Sequence, residues 1–107
     1  MKRIGNKMMR KTVLARLYWI SKAAGGRNTI VLGENLLYCP IIRFTDETSK
    51  ITWSSKITKS IYVDELTTDI DLSYLVDSAP FELLQANKSF SLYEGSMLVA
   101  KGIILSE

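Results

Sequence analysis

A period of two runs through this chain and limits what it can fold into. In "TVLARLYWIS" (12–21), Val13, Ala15, Leu17 and Trp19 fall on one side, with Leu14, Arg16, Tyr18 and Ile20 on the other. Side chains alternate across a strand, so apolar residues two apart mark a strand with one buried face. "DIDLSYLV" (69–76) is the plainest case, with Ile70, Leu72, Tyr74 and Val76 set against Asp69, Asp71 and Ser73. "KITWSSKIT" (50–58) sets Ile51, Trp53 and Ile57 against Thr52, Ser54 and Lys56. "LLYCPIIRF" (36–44) adds a strand in which Pro40 cannot donate to a ladder and so marks an edge or a bulge. "SFSLYE" (89–94) and "LVAKGIIL" (98–105) flank Gly95, Ser96 and Met97 and read as a hairpin. Turn residues recur at Gly25–Gly26, Gly33–Asn35, Asp46–Ser49 and Ala86–Lys88, and Pro80 adds a bend. "FELLQANK" (81–88) offers one helical turn or a short strand. Six or seven short strands in 107 residues, 47% of them hydrophobic, predict one all-β domain, either a closed barrel or a small sandwich.

The charge is uneven. Lys2, Arg3, Lys7, Arg10, Lys11, Arg16, Lys22 and Arg27 all precede Glu34, the first acid, and a later cluster gathers Asp64, Glu65, Asp69, Asp71 and Asp77. The reading is a basic N-terminal arm over residues 1–11, followed by a single barrel domain over 12–107. A basic first third attracts nucleic acid or an acidic partner, and it also suits a solvated arm and strand face. The apolar part of the N-terminus is broken by Arg10, Lys11 and Arg16, and no small-residue cleavage site follows it. No apolar run approaches the roughly 20 residues of a membrane helix. With Cys39 as the lone cysteine, these points predict a cytoplasmic protein that keeps away from membranes.

Catalytic chemistry is hard to assemble here. The chain has no histidine, which removes Ser–His and Cys–His nucleophile pairs and the commonest general base. "AAGGRNT" (23–29) lacks the spacing of a phosphate-binding P-loop and sits between two strand-like segments. Asp69 and Asp71 share one strand face and read as solvated acids, and Cys39, among apolar neighbours, as a small hydrophobe. The expectation is a binding protein, with no enzymatic activity, no cofactor and no metal.

The order of three motifs is more specific. "ARLYWISKAAGGRNT" (15–29) contains Ile20-Ser21-Lys22 and Gly25-Gly26-Arg27-Asn28-Thr29, "IRFTDET" (42–48) contains Arg43, Thr45, Asp46 and Thr48, and "FSLYEGSMLVAKGII" (90–104) contains Phe90, Glu94, Gly95, Val99 and Gly102. This series resembles the C-terminal barrel, the third domain, of the elongation factor Tu family, over residues 12–105. That family carries Leu-Ser-Lys followed after two residues by Gly-Gly-Arg-His-Thr, then Phe-Arg-Thr-Thr-Asp-Val-Thr, and near its end Glu-Gly-Gly-Arg. Asn28 replaces the histidine of the first motif, and Ser96 and Met97 replace the second glycine and the arginine of the last. The GTPase domain and the second barrel of the family have no counterpart in this chain, so GTP hydrolysis does not carry over.

The resemblance implies a six-stranded antiparallel Greek-key barrel and a role in translation. In the family this barrel contacts the T-stem of aminoacyl-tRNA and packs against the GTPase domain. Carried over by position, the RNA contacts would be Thr48, Glu94 and Gly95, while the family's contacting glutamine falls on Cys39. Positive charge for phosphates would come from Arg16, Lys22, Arg27, Arg43 or the N-terminal arm. A protein-facing surface would include Gly25, Gly26, Arg27 and Ser91, the first three lying near the GTPase contact in the family. Turn chemistry alone also accounts for Gly95 and Thr48. Two partners follow: tRNA or another RNA, or a protein of the translation machinery for which the barrel stands in as decoy, regulator or immunity-type protein. Apolar residues on both strand faces (Leu14, Ile20, Ile103, Leu105) favour the second, since a closed barrel should bury only one face, with self-association as its variant.

Overall fold

Each alternating segment forms a strand in the computed structural model, which describes residues 9–107. The strands are β1 (Val13–Trp19), β2 (Gly33–Tyr38), β3 (Ile41–Phe44), β4 (Trp53–Asp64), β5 (Thr67–Tyr74), β6 (Ser89–Glu94) and β7 (Met97–Ser106). All pairings are antiparallel, and they run β4–β3–β6–β7–β1–β5 before β5 closes onto β4. Closure pairs both edges of every strand but β2, which removes most of the sheet edges that would otherwise invite aggregation. Lys2, Arg3, Lys7 and the rest of residues 1–8 lie outside the described residues.

β2 and β3 occupy one position in the ring. They lie end to end along the same edge of β4, with Gly33 opposite Ser60, Tyr38 opposite Ile57, and Ile41 opposite Ser54. The break falls at Cys39–Pro40, where proline supplies no N–H. Its carbonyl is well used: Ser55 donates to it from both the backbone N–H (2.8 Å) and the side-chain hydroxyl (2.7 Å). Counting β2 and β3 together, seven segments make a six-position ring. β2/β3, β4 and β5 follow one another, and β1 lies beside β5, which is Greek-key connectivity.

Inward positions follow the alternation. Val13, Ala15, Leu17 and Trp19 are buried from β1, Ile70, Leu72 and Tyr74 from β5, and Phe90 and Leu92 from β6. The segment after Pro80 folds into a 3-10 turn, Phe81–Leu83, which plugs one end of the barrel with Phe81 and Leu84. Phe81 meets Tyr74 edge to face at 5.3 Å between ring centroids. At the other end the Trp19 indole donates to the Thr68 hydroxyl (2.9 Å), which also accepts from Ser60 (3.0 Å). These buried polar groups therefore have partners, as a dry core requires.

The alternation misleads in three places. Val76 is exposed because β5 ends at Tyr74, where the Leu75 N–H bonds to Ser54 O and the chain turns away. Ile51 is also exposed: it precedes β4, its N–H held by the Ser49 hydroxyl. β4 continues six residues beyond Thr58 to Asp64, because a bulge between Ile57 and Lys59 moves the inward side from Ile57 to Ser60 and breaks the period. Gly33–Asn35, expected as a turn, instead opens β2, with Asn35 left-handed at φ 57°.

Gly102 is where β7 passes closest to the core. A Cβ there would stand 2.5 Å from Phe90 Cζ and 2.8 Å from Leu17 Cδ2. Gly102→Ala should lower the unfolding free energy by about 1–3 kcal/mol through overpacking, read as a lower urea midpoint. Joined with Phe90→Leu, the loss should be smaller than the sum of the two single changes.

Candidate nucleic-acid interface

Two of the expected functional residues meet each other. Arg27 arrives from the loop after β1 and Glu94 from the end of β6, and they form an ion pair. The Tyr38 hydroxyl, from the end of β2, donates to the same carboxylate oxygen. Arg27 lies over the Tyr38 ring, 5.4 Å from its centroid, and its Nε donates to Thr29 O (3.0 Å). This clamp sits at the seam where backbone pairing stops: the β3–β6 ladder ends at Ile41–Tyr93, next to the Pro40 break. Side chains thus close what the backbone leaves open.

The loop that delivers Arg27 is built by its small residues. Ser21 caps a 3-10 turn, Lys22–Ala24, by accepting from Ala24 N (3.2 Å), and Gly25 ends it. Gly26 then passes so close to the chain that a Cβ would stand 2.0 Å from Ile20 O. Gly26 is therefore needed for the loop itself, and Gly25 is exposed beside it. Gly95 is exposed in the two-residue turn before Met97, at φ 60°.

Most of the described basic residues of the first third are neutralised by the folded chain. Arg10 pairs with Asp77 (2.7 Å), Lys11 with Glu107 (2.8 Å) and Arg16 with Asp69 through two bonds of 2.7 and 3.0 Å. The Asp69 hydrogen bonds and charge hold the Arg16 guanidinium firmly in its charged form. With Arg27 on Glu94, four basic residues of the first third each have an acid, and only Lys22 among those described does not. Arg16 and Arg27, expected as sources of positive charge, thus each stand against an acid: the antiparallel ring sets β1 against β5, and the loop after β1 meets the end of β6.

Cations without an acid lie elsewhere. On the outer face, Arg43 of β3 stands opposite Ser91 of β6, Ser91 opposite Lys101 of β7, and Lys101 opposite Tyr18 of β1. This row crosses four strands. Among the described residues neither Arg43 nor Lys101 joins an ion pair. Arg43 is steadied by donating from Nη2 to Ser49 O (2.8 Å). Together with Tyr93, two positions along β6 from Ser91, these residues line a cleft of about 640 Å³. Glu47 also borders it, with a carboxylate oxygen accepting from Phe44 N (3.1 Å).

The cleft reorders the expected site. Ser91 belongs with the cationic row and not with Gly25, Gly26 and Arg27. Thr48 is exposed past the Phe44 end of β3, while Glu94 and Gly95 lie past the opposite end of the β3–β6 pair, so the row runs between them. Tyr18, Tyr93 and Lys101 were not singled out by sequence, because register across strands places them. Their one signal was an outward position in an alternating strand. No group of three His, Cys, Asp or Glu residues able to hold a metal occurs among the described residues. Neither a protein-family model nor a curated protein matches this chain.

The clamp has a pH signature. Burial pushes the Glu94 carboxyl up, but Tyr38 and Arg27 pull it down further, leaving it below its ordinary 4.5. Burial, and then the bond to Glu94, raises the Tyr38 phenol. A carboxylate with a depressed folded-state pKa contributes stability that is complete above the unfolded value and is lost as pH falls through the folded one. Glu94→Gln should therefore lose less stability than the parent between neutral pH and about pH 3. Tyr38→Phe should cost about 1 kcal/mol at neutral pH in urea unfolding.

Proposed function

We propose that this chain is a non-catalytic RNA-binding barrel of translation, a stand-alone counterpart of the third domain of elongation factor Tu. The observation that carries the reading is the row Arg43–Ser91–Lys101–Tyr18, which puts two cations without acidic partners on one open sheet face. Phosphate oxygens suit such a row. Arg43 keeps guanidinium N–H groups free beside its bond to Ser49, and Ser91 offers a hydroxyl between the two charges. The expected contacts Thr48 and Glu94–Gly95 lie on either side of the row, past opposite ends of the β3–β6 pair. In this reading Glu94 acts through the clamp, holding the hairpin that borders the face, and makes no phosphate contact of its own.

A second reading has its own support. Ile61, Tyr62 and Val63 are three consecutive exposed residues at the far end of β4, 41%, 60% and 42% exposed. The loop carrying Gly25 and Gly26 starts at the same end, where Trp19 N donates to Leu66 O (2.7 Å). An apolar run beside that loop fits a protein partner. A stand-in for the factor's third domain would bind the isolated GTPase domain of elongation factor Tu. Calorimetry showing no heat of binding would end that alternative.

The RNA reading is tested by fluorescence anisotropy with labelled tRNA over a range of salt. Affinity should fall as salt rises from about 50 to 200 mM, since phosphate contacts release counterions. Arg43→Ala and Lys101→Ala should each reduce the log–log salt slope by about 1 and weaken binding alike for all RNA sequences. No binding at the lowest salt would remove the reading.

A further inference from the structure

We infer that the RNA held on this face is single-stranded, with its bases stacked on Tyr18 and Tyr93 and its phosphates on Arg43 and Lys101. The inference rests on the RNA-binding part of the reading above and departs from the T-stem contact that the resemblance implies. Three observations carry it.

The first is the number of cations. A duplex shields its bases and is gripped through its backbone, and tight, salt-sensitive complexes of that kind make about six to ten phosphate contacts. Among the described residues the face offers two cations without acidic partners, while the neighbouring Arg16 is spent on Asp69. Two contacts fall well short of what a rigid stem needs, so another source of affinity is required.

The second is the pair of aromatic rings. Tyr18 is 49% exposed at one end of the row, and Tyr93 is half-buried on β6, in the same cleft as both cations. Stacking one base on an aromatic ring strengthens binding by about 5- to 100-fold, and it requires a base that is not paired. Two rings therefore supply more than two phosphate contacts can, and only to a single strand.

The third is scale. Strands in a sheet are about 4.8 Å apart, so the row from Arg43 to Tyr18 spans roughly 14 Å. Tyr93 stands about 7 Å to one side of the row, two residues along its strand. This footprint accommodates two or three nucleotides in an extended path over β6, β7 and β1. Ser91, midway, presents a hydroxyl that can pair with a 2′-OH or a phosphate oxygen.

The test compares a labelled oligouridine of about 12 nucleotides with a blunt RNA duplex of the same length, by anisotropy on the full chain. The single strand should bind at least about tenfold more tightly. Tyr18→Ala and Tyr93→Ala should each weaken single-strand binding by about 5- to 100-fold, while Tyr18→Phe and Tyr93→Phe retain it. Urea unfolding of each variant separates loss of a stacking ring from loss of the fold, and the phenylalanine variants keep the test sound if an alanine variant is unstable. A duplex that binds as tightly as the single strand, or folded alanine variants that bind like the parent, would overturn the inference and leave RNA binding standing. Failure of both RNAs to bind would overturn this inference, while the tRNA titration decides the RNA reading separately.

Discussion

The missing amide hydrogen of Pro40 is the constraint around which the barrel is arranged. A strand that loses its ladder at one residue must either end or restart, and this chain restarts: β2 and β3 share one edge of β4 across the gap. Ser55 answers the proline carbonyl twice, which keeps β4 in register through the break. On the other side of the strand, the β6 ladder stops at Tyr93, and the Arg27–Glu94–Tyr38 clamp takes over. One backbone irregularity thus recruits the loop after β1, the end of β2 and the last hairpin into a single polar junction. The fold and the proposed face adjoin there, because Glu94 of the clamp directly follows Tyr93 of the cleft on β6.

Ring closure also changes what charge along the chain means. A first third without acids reads as a cationic arm, yet the antiparallel ring lays β1 against β5, where Asp69 waits for Arg16. Arg10 reaches Asp77 and also the Tyr74 carbonyl, stacking its guanidinium 5.0 Å from the centre of the Phe81 ring. Surface pairs of this kind add little stability each. Their larger effect is on potential: they cancel much of the charge that linear order concentrates in the described part of the first third.

How much of this could be read in advance depends on the distance over which each cause acts. Alternation is local, so β1, β6 and the inward set Val13, Ala15, Leu17 and Trp19 were legible. β4 was truncated because a bulge is decided by its partner strands, and a serine at position 60 gives no local sign that it faces inward. The clamp was half legible: Arg27 and Glu94 were each singled out, but their meeting, 67 residues apart, depends on closure of the ring. The row Arg43–Ser91–Lys101–Tyr18 was the least legible. It is a product of register between four strands, and no single segment carries it.

Because the row is spelled out one residue per strand, the length of each strand matters to it more than the identity of most neighbours. Adding one residue inside β7 would exchange Lys101 with Gly102, turning an ammonium toward Phe90 and a bare backbone toward solvent. Adding two would keep Lys101 outward but move it about 7 Å along β7, out of line with Ser91 and Tyr18. Descendants of this chain should therefore vary freely in length at the loops, and within the ring strands chiefly by even steps, a pattern of insertions and deletions set by the pleat of the sheet.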